Sequence, residues 1–252
     1  MREEILDGIR DGQFHVVYQP QMMADGSRIV AVEALVRWAH PRRGPLGPDH
    51  FIKIAEDESA IFELGAFVLR RACQDALQWP SIAVSVNVSG LQLQAPGFAE
   101  FVETEVRKSG LPFHRLELEI VESAVIENFN PVVEVLHRFR GLGVKIALDD
   151  FGTGYSSLSY LRKLPLDKLK IDKSFVDEAG CVMSASIIQA VIAMARAIGL
   201  KVTAEGVETV AQQQFLRVCG CHYLQGYLFS KPVSSREITQ MLENGQIVSR
   251  AG

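Results

Sequence analysis

The sequence predicts an α/β fold: a modified (β/α)8 TIM-like barrel whose first strand runs against the others. Three observations carry this expectation. Strand-like and helix-like apolar runs alternate through most of the 252 residues. Eight runs are strand-like, and each from the second onward is followed by a helical run. The first two strand-like runs are joined only by QMMADGSR, whereas a parallel crossover needs about a dozen residues. Asp25-Gly26 in that link is a hairpin-turn signal, so the first strand is expected to be antiparallel.

The predicted strands are residues 14–20, 29–37, 82–88, 116–121, 144–149, 166–172, 201–205 and 223–225. Helices are predicted in the intervals, at 49–58, 60–78, 98–109, 131–140, 156–163, 183–198, 210–218 and 235–244. No Pro/Gly/Ser-rich linker or low-complexity run divides the chain, so 1–252 reads as one domain. With 48% apolar residues and a formal charge of only -4, a disordered chain is excluded. Lys and Arg (26) are fewer than Asp and Glu (30), which excludes a strongly basic binder of nucleic-acid polymers. The most apolar stretch, 187–200, is broken by Gln189 and Arg196 and falls short of the roughly 20 residues that span a bilayer, so no membrane insertion is expected. The charged opening MREEILDGIR is unlike a signal peptide. Cys73, Cys181, Cys219 and Cys221 form no CxxC pair and no histidines form HExxH, so reduced structural thiols in a cytoplasmic protein are expected, without zinc. Trp38 and Trp79 are expected to be packing residues, and Arg42 and Arg43 to lie in a turn-rich loop.

Barrel strands are buried on both faces and should be apolar throughout; polar exceptions near their C-terminal ends mark catalytic candidates. Nearly every strand has one. They are Glu33 and Arg37 in AVEALVRW, Asn87 in VSVNVS, Glu119 in LELEIVE and Asp149-Asp150 in IALDD. Lys170 and Asp172 follow in KLKID, Glu205 in VTAEG and Gln225 in the last strand. Alternation gives them a shared direction. The valines of VSVNV lie on one face with Ser85 and Asn87 on the other, and Ala147 and Asp149 lie opposite Ile146 and Leu148. Five carboxylates (Glu33, Glu119, Asp149, Asp150, Glu205) would then face two cations, Lys170 and Arg37. Each unpaired buried ion costs several kcal/mol. Either the carboxyl pKa values rise or divalent cations bind. An all-oxygen donor set favours hard ions, Mg2+ or Mn2+. Adjacent aspartates suit a metal pair about 3.5–4 Å apart, which clamps the attacking and leaving oxygens of a phosphoester displacement.

The motifs EALVRW, NVS, ELEIVES, DDFGTGYSSLSYL, LKIDKSF, AEGVET and QGYLFSKP, spread over about residues 13–232, resemble those of the EAL-domain cyclic di-GMP phosphodiesterases. The resemblance implies hydrolysis of cyclic di-GMP to linear pGpG by in-line attack of a metal-activated water, with a pair of Mg2+ or Mn2+ ions in the site. It implies Glu33, Asn87, Glu119 and Asp149 as ligands of one ion, and Asp149, Asp150 and Glu205 as ligands of the other. Lys170 is implied at the attacking water or scissile phosphate, so that Glu33, Asp149, Lys170 and Glu205 form the catalytic set. Gln225 and Glu208 are implied to bond metal waters, Arg37 to hold the non-scissile part of the substrate, and Gln19, Leu35 and Asp172 to make further substrate contacts. Glu122 matches a glutamate that anchors the loop after strand five, which in the family couples the metal site to a dimer interface. A homodimer, and regulatory domains in a longer parent protein, are implied in the same way. No metal-ligand position departs from the family pattern. That favours an active enzyme over the alternative, a cyclic di-GMP receptor module that binds without turnover. The segment FGTGYSSL does not complete GxGxxG and reads as a glycine turn with a helix start at Ser156 or Ser157.

Overall fold

The structure, a computed structural model, describes residues 2–122, 129–152, 161–178 and 181–244. The chain opens with α1 (Arg2–Arg10) and the hairpin β1 (Phe14–Met23)–β2 (Ile29–His40), followed by β3 (Gly44–Leu46), α2 (Ile52–Asp57) and α3 (Ile61–Ala76). Next come β4 (Ala83–Val88), α4 (Gly90–Gln94), α5 (Phe98–Ser109), β5 (Leu116–Val121), α6 (Phe129–Leu142) and β6 (Lys145–Phe151). The chain continues through β7 (Lys168–Ile171), α7 (Lys173–Asp177), α8 (Val182–Ala197), β8 (Lys201–Ala204), α9 (Val210–Cys219), β9 (Tyr223–Gln225) and α10 (Ser235–Asn244). The expected helix at 156–163 lies, for residues 156–160, outside the described residues.

The strands neighbour one another in the order β1-β9-β8-β7-β6-β5-β4-β2, and the β1–β2 pairing closes the ring. β1 is antiparallel to both its neighbours, as the short link predicts, while the remaining pairings around the ring are parallel. The hairpin is closed by Asp25, whose Oδ1 accepts the Ser27 amide at 2.9 Å, and by Gly26 at φ 75°. Both the αL glycine and the Asx turn are what an Asp-Gly pair supplies.

Three elements were not foreseen. Residues 40–48, expected as a turn-rich loop, include β3, which folds back antiparallel on the end of β2 (Trp38↔Leu46, His40↔Gly44). Arg42 and Arg43 both pair with Glu4 of α1. α4 starts at a capping box, in which Ser89 Oγ accepts the Leu91 amide at 3.2 Å and Gln92 Oε1 accepts the Ser89 amide at 3.1 Å. α7 is capped by Asp172.

Outer strand faces carry Leu116, Leu118, Ile120, Ile146, Leu169 and Val202, all without exposed surface. Each such side chain contributes roughly 1.5–3 kcal/mol when buried. Trp38 and Trp79 pack in the core as expected, and each indole N–H is matched: Trp38 donates to Gln13 Oε1 at 3.0 Å, Trp79 to Thr239 Oγ1 at 2.8 Å. The cysteines are free thiols, and burial pushes those of Cys73 and Cys221 up to about 12, which makes both inert. Among the described residues no helix is long and apolar enough to cross a membrane.

Candidate active site

Polar side chains from separate strands meet inside the barrel near the C-terminal ends of its parallel strands. Lys170 of β7 lies at the centre. Its Nζ is 2.6 Å from Glu205 Oε1, 2.7 Å from Glu119 Oε2, 3.0 Å from Asp149 Oδ2 and 3.8 Å from Glu33 Oε2. Glu33 comes from β2, Glu119 from β5, Asp149 from β6, and Glu205 from the residue just past β8. Only 1% of the Lys170 side chain and none of Glu119's is exposed. Around Glu33, Asn87 Nδ2 donates to Oε1 at 2.8 Å and Gln225 Nε2 to Oε2 at 2.6 Å. Gln225 also donates to Gln19 Oε1 at 3.2 Å, and Gln19 reaches the Ser230 carbonyl at 3.3 Å.

Four carboxylates therefore share one ammonium. Burial pushes Glu119 well above the ordinary carboxyl range, with Lys170 only partly offsetting it. Burial likewise raises Glu205 to about 8 against the pull of Lys170. Asp150 is raised by burial and by the neighbouring Asp149. Glu33 goes the other way. Burial opposes its charge, but Lys170 and the bonds from Gln225 and Asn87 outweigh that and hold it below the ordinary range. Lys170 itself, despite its burial, is held well above the ordinary lysine value by Glu119, Glu205, Glu33 and Asp149.

The structure corrects the sequence expectation in two places. Arg37 does not face the carboxylates as a second cation: it is half-buried, and its guanidinium donates to the Val36 carbonyl at 2.8 Å. Asp150 stands at the edge of the set, exposed as a residue yet lining the larger cavity and near enough to Asp149 to be raised by it. Neighbours on a regular strand point to opposite faces, yet here the β6–β7 register shifts between Leu148 and Phe151, and Asp150 adopts φ 54°. That left-handed backbone, with the Asp150 amide donating to Asp149 Oδ1 at 3.0 Å, sets the direction in which the second aspartate leaves the strand.

Other expected site residues are spread more widely. Asp172 caps α7 by accepting the Ser174 amide at 3.0 Å, and the exposed Glu208 pairs with Lys173 at 2.5 Å. Glu122 is buried, and neither carboxylate oxygen has a partner among the described residues. The loop it was expected to anchor lies, at 153–160, outside the described residues. Two cavities flank the mouth. One of about 230 Å³ is lined by Gln19, Glu33, Asp149, Glu205, Glu208 and Gln225. The other, about 620 Å³, lies toward α2 and α3 and includes Asn87 and Asp150. Leu35 lines both.

Gly226, directly after Gln225, holds β9 against the 205–208 segment. A Cβ there would lie 2.1 Å from the Val207 carbonyl oxygen and 2.2 Å from its nitrogen, both backbone atoms. Gly226→Ala is expected to lose about 1–3 kcal/mol by overpacking, read as a lower urea midpoint, and to displace Gln225.

Sequence reasoning missed one layer. Beneath the cluster, Glu117 and Lys168 form a buried ion pair at 2.7 Å. The signal was available, since each stands two residues before a mouth residue and so shares its face.

The donor chemistry at the mouth fits hard divalent cations: several carboxylate and amide oxygens surround the one buried ammonium of Lys170, and the buried Gln225 Oε1 has no partner among the described residues. Among the described residues no three His, Cys, Asp or Glu side chains are arranged to hold a metal ion; Glu119, Asp149 and Glu205 lie against Lys170 Nζ.

Fold and mouth together define a (β/α)8-like barrel protein with an acidic, oxygen-donor site where its parallel strands end. The chain belongs to the EAL domain family, whose model matches residues 2–232. It is 43% identical over 248 residues to the cyclic di-GMP phosphodiesterase NbdA of Pseudomonas aeruginosa, covering 96% of this chain and 32% of that protein. The solved PaMucR phosphodiesterase in complex with c-di-GMP superposes at a TM-score of 0.90 and 36% identity, covering 94% of this chain and 98% of that one. The EAL domain of Mycobacterium smegmatis DcpA superposes at 0.79 and 37% identity, with coverage of 94% and 98%. The chain spans about a third of the length of the first curated relatives it matches.

Proposed function

We propose that this chain is a phosphodiesterase that hydrolyses cyclic di-GMP to linear pGpG with a pair of Mg2+ or Mn2+ ions. The observation that carries the reading is the convergence of Glu33, Glu119, Asp149 and Glu205 on one buried ammonium within an EAL barrel. Glu33, Asn87, Glu119 and Asp149 would hold one ion, and Asp149, Asp150 and Glu205 the second. When bound, the ions supply an activated water and positive charge opposite the phosphoryl oxygens.

The chain's own residues do the rest. Asn87 and Gln225 donate to the two oxygens of Glu33 and fix its plane. Lys170 offsets the carboxylate charge; its three N–H groups point to Glu119, Asp149 and Glu205, and with ions held by those carboxylates a freed N–H would meet a scissile phosphate, where developing negative charge strengthens the contact. Leu35, between the two cavities, gives the ligand an apolar ridge to cross. Arg37, two residues further along β2, is a cation that could meet a non-scissile phosphate. We read the protein as acting as a homodimer and as part of a longer regulated polypeptide.

The test is direct. Protein loaded with Mn2+ is incubated with cyclic di-GMP and the products are separated. The expected result is linear pGpG, abolished by chelator. Tight binding without product would favour the receptor reading, and neither binding nor product would refute both.

A further inference from the structure

A second polar ring lies beneath the carboxylates. Ser85, Glu117, Lys168 and Thr203 each stand two residues before a residue of the mouth and face the same lumen, joined by Gln21 from the reversed β1. All five are buried. Burying an unmatched polar side chain is costly, and all of these but the Thr203 hydroxyl have a side-chain partner among the described residues. Lys168 Nζ donates to Glu117 Oε1 at 2.7 Å and to Gln21 Oε1 at 3.1 Å, and Ser85 Oγ donates to the same Glu117 oxygen at 2.8 Å. Gln21 Nε2 then donates to Glu119 Oε1 at 3.3 Å, while the other Glu119 oxygen accepts from Lys170 at 2.7 Å.

A glutamine amide can turn either end toward a carboxylate, and its oxygen end would repel one. Lys168 has only donors, so it selects the oxygen end and leaves the N–H end for Glu119. We infer that Gln21 is a positioning residue for Glu119, with Lys168 setting the direction of its amide. The ring below thereby fixes the carboxylate plane of a cation ligand above it. This rests on the proposed function to the extent that Glu119 is taken to hold a cation.

The experiment is Mn2+ calorimetry on the full chain, with KM and kcat for cyclic di-GMP measured at saturating Mn2+. Gln21→Met keeps the side-chain length and the Glu117–Lys168 pair but removes the donor. It is expected to raise the Mn2+ Kd about 10-fold, the lower end for loss of a ligand's orienting partner, with KM within about twofold of the parent. Ser85→Ala deletes a bond in the same ring that does not reach Glu119. It is expected to melt earlier with Mn2+ affinity unchanged. If Gln21→Met does not fold, Gln21→Asn, which keeps an amide for Lys168 but is one methylene shorter, is expected to show the same weakening. Parent-like Mn2+ affinity in the Gln21 variants, or equal weakening in Ser85→Ala, overturns the inference. An unaltered chain that turns over cyclic di-GMP beside an unaffected Gln21 variant defeats this inference alone. One that takes up no Mn2+ defeats the metal-site reading and the inference with it.

Discussion

Lys170→Met is expected to destabilise the protein by about 3–5 kcal/mol, the cost of breaking a buried ion pair from one side, and to lower turnover by about 100-fold or more. The side chain is 1% exposed and lies within 3.0 Å of three carboxylates and 3.8 Å of a fourth. Methionine fills a similar volume, so a cavity contributes little. What is lost is the charge that makes four buried carboxylates tolerable in one place. Urea unfolding measures the first effect and cyclic di-GMP turnover the second. Added Mn2+ is expected to restore part of the stability and little of the activity. An unchanged urea midpoint in the absence of metal would contradict the electrostatic account of the mouth.

Glu33→Ala is expected to separate the two effects: a similarly large loss of turnover, about 100-fold or more, with a small change in stability. Its carboxylate accepts from Asn87 and Gln225. After truncation the exposed Asn87 returns to water, and Gln225 still has Gln19. The remaining cost is that of about one hydrogen bond, roughly 1 kcal/mol; the lost attraction to Lys170 at 3.8 Å is set against relief of repulsion with Glu119 and Glu205. Circular dichroism and urea unfolding should therefore report a folded barrel. Full turnover with normal metal dependence would rule out Glu33 as a ligand.

The barrel was legible because burial on both strand faces makes any polar residue conspicuous. Glu33, Asn87, Glu119 and Lys170 stood out against valines, leucines and isoleucines; Glu33 and Glu119 lie around the Lys170 ammonium, and Asn87 donates to Glu33. The hairpin was legible because a single dipeptide, Asp25-Gly26, dictates a turn. Arg37 was misplaced because strand parity gives the face of a residue but not its height above the floor of the site. It stands four residues past Glu33 on β2, where its long side chain folds onto its own backbone. Asp150 was not legible from parity, which sends the neighbour of Asp149 to the opposite face; the β6–β7 register shift and a φ of 54° place it beside Asn87 in the larger cavity instead, and no local residue announces either. β3 was missed because Gly, Pro and Arg read as loop, while its pairing is made by the overhanging end of β2.

The reversal of β1 has a consequence for traffic at the barrel's two ends. Every stave that rises toward the catalytic rim must be entered from the floor, except this one, which is entered from the rim: Phe14 lies opposite Trp38, above the level where Gln19 meets Glu33. α1 is thereby held at the upper edge, its Glu4 bonded to His40 at the summit of β2. From that leading helix the chain therefore reaches Gln19, at the chemical end of the cylinder, before it reaches the floor.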